Sequence, residues 1–196
     1  MLVSTFELLV KPIAPAGAGP APVARTVVQG YFLTIANTNN SPVRVRLQFT
    51  ATTPGLTIND TVTISDVVGN NNEFGEIAPV NDKRSLYFVN IPANDTALVT
   101  LLPDVSKPEI LAAKSLEIRG YVEVFLAAPA QKSIDLLLTP EHRGTFLPDD
   151  ITITTPDFDK LAYALPTANG GSLFTLTKAE PETAEKAAVS VAVGSV

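Results

Sequence analysis

The residue of this sequence best suited to acid–base chemistry near neutral pH is its single histidine, His142, which Glu141 and Arg143 flank. A Ser-His-Asp site depends on geometry rather than on sequence order, so His142 is a formal candidate for one. However, Pro140 to Gly144 has the composition of a surface turn, and the sequence has no Gly-x-Ser-x-Gly nucleophile elbow. We therefore predict no catalytic residue and no enzyme, and rank a hydrolase as the weakest alternative.

Two groups of acidic residues offer the oxygen ligands that calcium prefers. They are Asp149, Asp150, Asp157 and Asp159. An EF-hand loop needs Asp-x-Asp-x-Asp-Gly followed by a glutamate, and that pattern is missing from the sequence. Acidic residues near turns more often cap strands or face water. We expect no metal and no cofactor, and keep a calcium-binding module as an alternative.

Carbohydrate binding is the other ligand-binding alternative. The sequence has no tryptophan, which lowers the expectation, but Tyr163 and Phe158 are available to stack on sugars. Phosphate-binding loops are not expected, since the paired glycines Gly170 and Gly171 lack the context of such motifs.

Arg44 and Arg46 lie on the polar side of a strongly alternating segment and are the first candidates for protein contacts. The net charge is −6, and residues from Asp135 onward hold nine acidic and four basic residues. An acidic chain without a basic, aromatic track is not expected to bind nucleic acid. We predict a protein partner or self-association, in which the two arginines contact the acidic C-terminal third.

The composition is apolar for a chain with no membrane-length segment. Hydrophobic residues make up 45%, charged residues only 17%, and no apolar run approaches the ~18 residues of a membrane helix. The sequence therefore predicts either a large core or an apolar surface covered by a partner, and no membrane span. The absence of cysteine excludes disulfides and thiolate zinc sites. No signal peptide is recognised, because Glu7 interrupts the first apolar run, and the localisation stays open.

Alternating apolar and polar residues predict several β-strands. The clearest is Val43 to Thr50, in which the pattern has no error. The other predicted strands are Thr5 to Lys11, Val27 to Ala36, Thr61 to Val68, Leu86 to Ile91, Ala97 to Leu102, Leu116 to Leu126 and Ile134 to Leu138. Turn residues recur about every 8–12 positions between many of them, which is typical of an antiparallel β-sandwich.

One short helix is predicted between two late strands. Ser106 and Glu109 have the spacing of a capping box, and Pro108 fits the first turn.

The C-terminal part is predicted to extend this sandwich. Tyr163 to Leu165 and Leu173 to Leu176 flank Asn169-Gly170-Gly171 and are interpreted as a hairpin. Near the end, Val189, Val191 and Val193 alternate with small residues. This tail is a frayed terminus, an internal edge strand, or a strand lent to another subunit.

A family resemblance follows from these elements. Phe32-Leu33-Thr34-Ile35-Ala36-Asn37-Thr38-Asn39 looks like the B strand of bacterial immunoglobulin-like domains and its exit. The strand, helical turn, long alternating strand and further strand up to residue 140 resemble the E, F and G region. The resemblance is one of class and implies an immunoglobulin-like sandwich without the cysteine pair or core tryptophan of antibodies.

Together these observations predict an all-β, antiparallel immunoglobulin-like sandwich with one short helix and a C-terminal extension. We divide the chain into an N-terminal strand and connection (1–26), a sandwich core (27–147), additional strands or a hairpin (148–178) and a tail (179–196). The expected function is that of a non-catalytic structural or protein-interaction domain, with self-assembly as one form of that interaction.

Overall fold

The computed structural model describes residues 1–14, 17–18, 25–53, 60–67, 69, 73–75, 77–127, 133–148 and 158–177, and strands dominate this part of the chain. In chain order the strands are β1 (Leu2–Pro12), β2 (Thr26–Asn37), β3 (Val43–Thr53), β4 (Thr61–Val67), β5 (Glu73–Gly75), β6 (Ala78–Asn81), β7 (Arg84–Ile91), β8 (Asp95–Pro103), β9 (Leu116–Leu126), β10 (Ser133–Phe146), β11 (Asp159–Ala164) and β12 (Leu173–Thr177). The helix α1 (Pro108–Ala113) lies between β8 and β9. None of the helical residues that the structure describes forms a segment long and apolar enough to cross a membrane.

The strands form an antiparallel sandwich whose two layers are joined by β1. One layer has the order β5-β4-β8-β2-β10, with β11 and β12 on the far side of β10, and the other has the order β1-β9-β3-β7-β6. The C-terminal residues of β1 pair with the start of β2, from Leu9 opposite Gln29 to Pro12 opposite Thr26. Leu9 and Val10 also pair with β9, so this part of β1 belongs to both layers. The predicted all-β, antiparallel class, with one helix between two late strands, is confirmed.

Alternation along the strands supplies the core between the layers. On β3, Val45, Leu47 and Phe49 are fully buried, as the sequence pattern predicts. Three aromatic rings from both layers, Phe6 on β1, Tyr31 on β2 and Phe49 on β3, pack with centroid distances of 5.9–6.4 Å. Edge and tilted contacts of this kind add to the stabilisation that the buried area itself provides.

The turn predicted at Pro140 to Gly144 is wrong, because β10 continues to Phe146 and pairs with β2 along its length. Proline is rare inside a central strand since it has no N–H to donate. Here the Pro140 carbonyl accepts from the N–H of Leu165, so its imide nitrogen faces the same side, where the chain passes between β11 and β12. The missing donor thus falls at a gap in the neighbouring strand.

The predicted hairpin is also wrong. Both β11 and β12 run antiparallel to β10, β11 beside its C-terminal half and β12 beside its N-terminal half. Two strands antiparallel to the same strand on the same side run in one direction, so they do not pair with each other. They act as one interrupted strand along the edge of the layer.

The short helix is present, but its predicted capping box is wrong. The helix begins at Pro108, its N-cap residue is Lys107, and that residue makes no side-chain cap hydrogen bond. The Ser106 hydroxyl donates instead to the Asp104 carboxylate. A neighbouring carboxylate therefore competes successfully with the helix N-terminus for this hydroxyl.

The strand order departs from one detail of the immunoglobulin resemblance. A G strand lies beside F in the same layer. The strand compared with G, β10, pairs with β2 instead, and the place beside β9 is taken by β1. The N-terminal strand thus closes the layer that the last core strand was expected to close.

We predict that Gly120→Ala lowers the melting temperature. A Cβ at Gly120 lies 2.1 Å from the Thr50 carbonyl oxygen and 2.8 Å from the Phe6 ring, so strands or core must shift. Overpacking of this kind costs about 1–3 kcal/mol.

The matched control for thermal unfolding is Gly171→Ala, because nothing lies within 4 Å of a Cβ placed there. Equal melting temperatures for the two variants would contradict the close approach of β9 to β1 and β3.

Candidate interaction surfaces

His142 lies in β10 and is almost completely buried, with 5% of its surface exposed. Its Nε2 accepts a hydrogen bond of 3.0 Å from the backbone N–H of Glu7 on β1. Its Nδ1 lies 2.9 Å from the hydroxyl of Tyr163 on β11. The prediction that His142 sits in a surface turn is therefore wrong.

These contacts define the tautomer of the ring. A backbone N–H only donates, so Nε2 is unprotonated and neutral His142 carries its proton on Nδ1. That proton is donated to Tyr163, whose hydroxyl donates to Oε1 of Gln29 at 3.2 Å. The Gln29 amide donates in turn to the carbonyl of Glu7 at 3.4 Å. We call this closed circuit of hydrogen bonds the crossing ring.

The crossing ring forms where β1 passes from one layer to the other. Pairing of β1 with β2 extends only to Leu9 opposite Gln29, so the Glu7 peptide has no ladder partner on β2. A buried peptide without partners costs several kcal/mol, about 1–3 for each unsatisfied group. The side chains of His142 and Gln29 replace the missing ladder bonds. His142 therefore contributes to the structure of this corner through both of its ring nitrogens.

Sequence reasoning missed the other members of the crossing ring. Gln29 looks like an ordinary polar position in an apolar strand, yet it is only 4% exposed. A polar residue at a buried strand position is the signal that it must have a specific partner. The partner itself, 134 positions away at Tyr163, is set by tertiary structure.

A second feature lies on the outer face of the other layer. Arg46 on β3 stands directly opposite Phe88 on β7 and Phe125 on β9, so three side chains form a row across three strands. The guanidinium carbon of Arg46 lies 4.4 Å from the centroid of Phe125. That of Arg44 lies 5.0 Å from the centroid of Phe88. We call these four side chains the arginine–aromatic face.

The arginine–aromatic face combines positive charge with exposed apolar area. Phe88 is 43% exposed, Arg44 is exposed, and Arg46 and Phe125 are half-buried. Within the described part of the chain, the buried Nε of Arg46 has no hydrogen-bond partner. Stacking on an aromatic ring holds a guanidinium in place while leaving its planar edge free for a carboxylate.

The structure thus brings the predicted Arg44 and Arg46 together with aromatic residues that the sequence analysis did not associate with them. The signal was available, because Phe88 and Phe125 occupy outward positions in their own strands. Their register beside Arg46 was not. Val189, Val191 and Val193 lie outside the described residues, so their predicted role stays untested.

The acidic residues predicted as calcium ligands are mostly outside the described residues, namely Asp149, Asp150 and Asp157. Asp159 is described, and its carboxylate forms an ion pair with Arg25. Among the described residues no group of three or more ligand side chains is placed to hold a metal. The calcium alternative therefore remains a prediction.

Two grooves border the start of β9. The larger, of about 580 Å³, is lined by the helix α1 and the start of β9, including Glu109, Glu117 and Arg119. Its charged groups largely satisfy one another, since Arg119 pairs with Glu117, and Glu117 pairs with Lys11. The smaller, of about 370 Å³, lies beside the crossing ring and is lined by Gln29 and Tyr163 among others.

Comparisons with known proteins give little further information. No protein-family model matches the chain, and no curated protein matches it. Among solved structures, ACE19, the collagen-binding subdomain of the Enterococcus faecalis surface protein ACE, is similar with 10% sequence identity and a TM-score of 0.27. The match covers 84% of this chain and 95% of that one. At so low a score the likeness carries no argument, and the fold described above rests on the strand pairing of this chain.

We predict that His142 titrates below its ordinary value and makes stability pH-dependent. Burial lowers the pKa of His142 from 6.5, because desolvation penalises the charged ring. Protonation of Nε2 would also set two donors, this N–H and that of Glu7, against each other. A lowered folded-state pKa means that the unfolded chain binds the proton more tightly, so this stabilisation is complete above pH 6.5 and is lost as the pH falls below it.

NMR of the ring protons gives this pKa without assignment ambiguity, because the chain has one histidine. The urea midpoint should fall between pH 7 and 5.5 in the wild type and change less in His142→Gln. A histidine pKa at or above 6.5 would contradict the buried, neutral ring.

Proposed function

We propose that this protein is a non-catalytic β-sandwich that acts by protein–protein contact through the arginine–aromatic face. The observation that carries the proposal is the row of Phe88, Arg46 and Phe125 across three strands. Arginine and large aromatic residues are enriched at the energetic centres of protein interfaces. Their position on regularly paired strands, rather than in a loop, makes the surface rigid before binding.

The face selects a partner by charge. Arg44 and Arg46 contribute two positive charges, and Glu123, two positions before Phe125 on β9, is hydrogen-bonded to Gln48. A partner that presents carboxylates beside apolar side chains complements both the guanidinium groups and the phenyl rings. Opposite charges across an interface chiefly raise the association rate and fix the orientation.

A second copy of the same chain is such a partner. From Asp135 onward the chain holds nine acidic and four basic residues, whereas the part before it is nearly neutral. The two arginines lie in the nearly neutral part. We therefore propose self-association in which this face contacts the acidic C-terminal third of another molecule.

Size-exclusion chromatography with light scattering on the full chain tests this proposal. We expect the mass to rise above the 20.7 kDa of a single chain as the concentration increases. The double variant Arg44→Glu with Arg46→Glu should remain monomeric, and added salt should weaken assembly of the wild type.

The matched control is Lys107→Glu with Lys114→Glu, which makes the same charge change around α1, at the opposite end of β9 from Phe125. It should assemble as the wild type does. A wild type that stays monomeric up to about 100 µM, or a double variant that still assembles, would overturn the proposal.

A further inference from the structure

The 370 Å³ groove beside the crossing ring has the make-up of a small-ligand site and is separate from the arginine–aromatic face. Sites for small molecules are typically ~300–1,000 Å³ and combine an apolar lining with a few polar groups. Here Leu9, Val27 and Leu161 supply the apolar part, and the polar groups come from β1, β2, β9 and β11.

One wall of the groove is a tyrosine whose orientation is already fixed. Tyr163 is 48% exposed, yet its hydroxyl is held between His142 and Gln29 in the crossing ring. An exposed side chain normally loses rotational freedom when a ligand packs on it, and that cost is reduced here before binding. A flat, oriented aromatic ring suits the C–H face of a pyranose, which is apolar although its rim carries hydroxyls.

The polar groups of the groove are arranged for hydroxyls rather than for an ion. Gln29 is only 4% exposed. Its amide nitrogen has two N–H groups, and the crossing ring uses one of them. Lys11 and Glu117 form an ion pair within the groove, adding donors and acceptors together.

The charges of the groove nearly cancel. Glu7 and Glu117 line it with Lys11, and Arg119 pairs with both of these glutamates. Two acidic and two basic groups give no net preference for an anion or a cation. A ligand that offers many hydroxyls and no charge satisfies such mixed donors and acceptors.

We propose that this groove binds a neutral saccharide. The ring of Tyr163 packs against one face of a sugar, while Lys11 and Glu117 hydrogen-bond to its hydroxyls. The site lies on the β1–β11 side of the sandwich and uses no residue of the arginine–aromatic face, so it is independent of the self-association proposed above.

The test is saturation-transfer NMR with the full chain and a panel of neutral gluco-, galacto-, manno- and xylo-oligosaccharides, followed by calorimetry with those that bind. Tyr163→Ala should raise the Kd at least about tenfold. Because that change also opens the crossing ring, Lys11→Ala is the second variant. Lys11 contributes to a partly exposed ion pair whose loss has little effect on stability, and this variant should also weaken binding.

The matched control is Phe158→Ala, which removes an aromatic ring that is similarly exposed, at 43%, but does not line the groove. Binding should be unchanged in this control and in Arg46→Glu, even if Arg46→Glu abolishes self-association. Absence of binding by any saccharide at millimolar concentration would overturn the proposal. So would equal losses in Phe158→Ala and Lys11→Ala, or full binding by folded Tyr163→Ala.

Discussion

The passage of β1 between the two layers depends on how the peptide of Glu7 is satisfied after β1 and β2 part. Both of its polar groups face the place where β2 no longer pairs, and both find side-chain partners, His142 for the N–H and Gln29 for the carbonyl. Because Tyr163 links those two side chains, the circuit also fixes β11 against the same corner. A single set of four hydrogen bonds therefore contributes to three features. These are the position of β1 at the edge of its layer, the position of the edge strand β11, and the Tyr163 wall of the groove. Removing one member leaves buried partners unsatisfied, which is why such networks are more consequential than isolated surface bonds.

The two proposed functional surfaces are placed by different parts of this architecture. The arginine–aromatic face belongs to β3, β7 and β9, where ladder pairing alone aligns Arg46 with its phenyl neighbours. The saccharide groove lies where β1 leaves its layer, so its shape depends on the crossing itself. The first surface presents cationic and aromatic side chains suited to a protein, and the second is a larger groove suited to a small ligand. This difference follows from regular pairing in the first case and interrupted pairing in the second.

The sequence predicts the parts of the fold that depend on local alternation. Val43 to Thr50 has one buried and one exposed side, and the structure buries its apolar members as expected. It fails where a distant contact overrides a local signal. Pro140 and Gly144 are typical turn residues, yet β10 continues through both of them. The strand beside β10 is interrupted at Pro140, so no neighbouring strand needs an N–H from that position. His142 likewise looks exposed in the sequence, because two charged residues flank it. Its environment is determined instead by the backbone N–H of Glu7, 135 positions away, which has no ladder partner on β2. The site residues Arg44 and Arg46 were recognised from their side of the strand, but their aromatic neighbours required the register between strands.

Hydrogen exchange at the Glu7 amide tests the crossing ring most directly. This amide has no partner on β2, so without His142 it would exchange as the amides of open edge strands do. We predict that at pH 7.5, with His142 neutral, its protection is similar to that of core ladder amides such as Leu33. His142→Gln, or a pH well below the histidine pKa, should reduce protection at Glu7 more than at Leu33. A Glu7 amide that, after correction for intrinsic rates, exchanges as fast at pH 7.5 as the amide of Asn169, in the exposed turn at residues 168–171, would contradict the crossing ring.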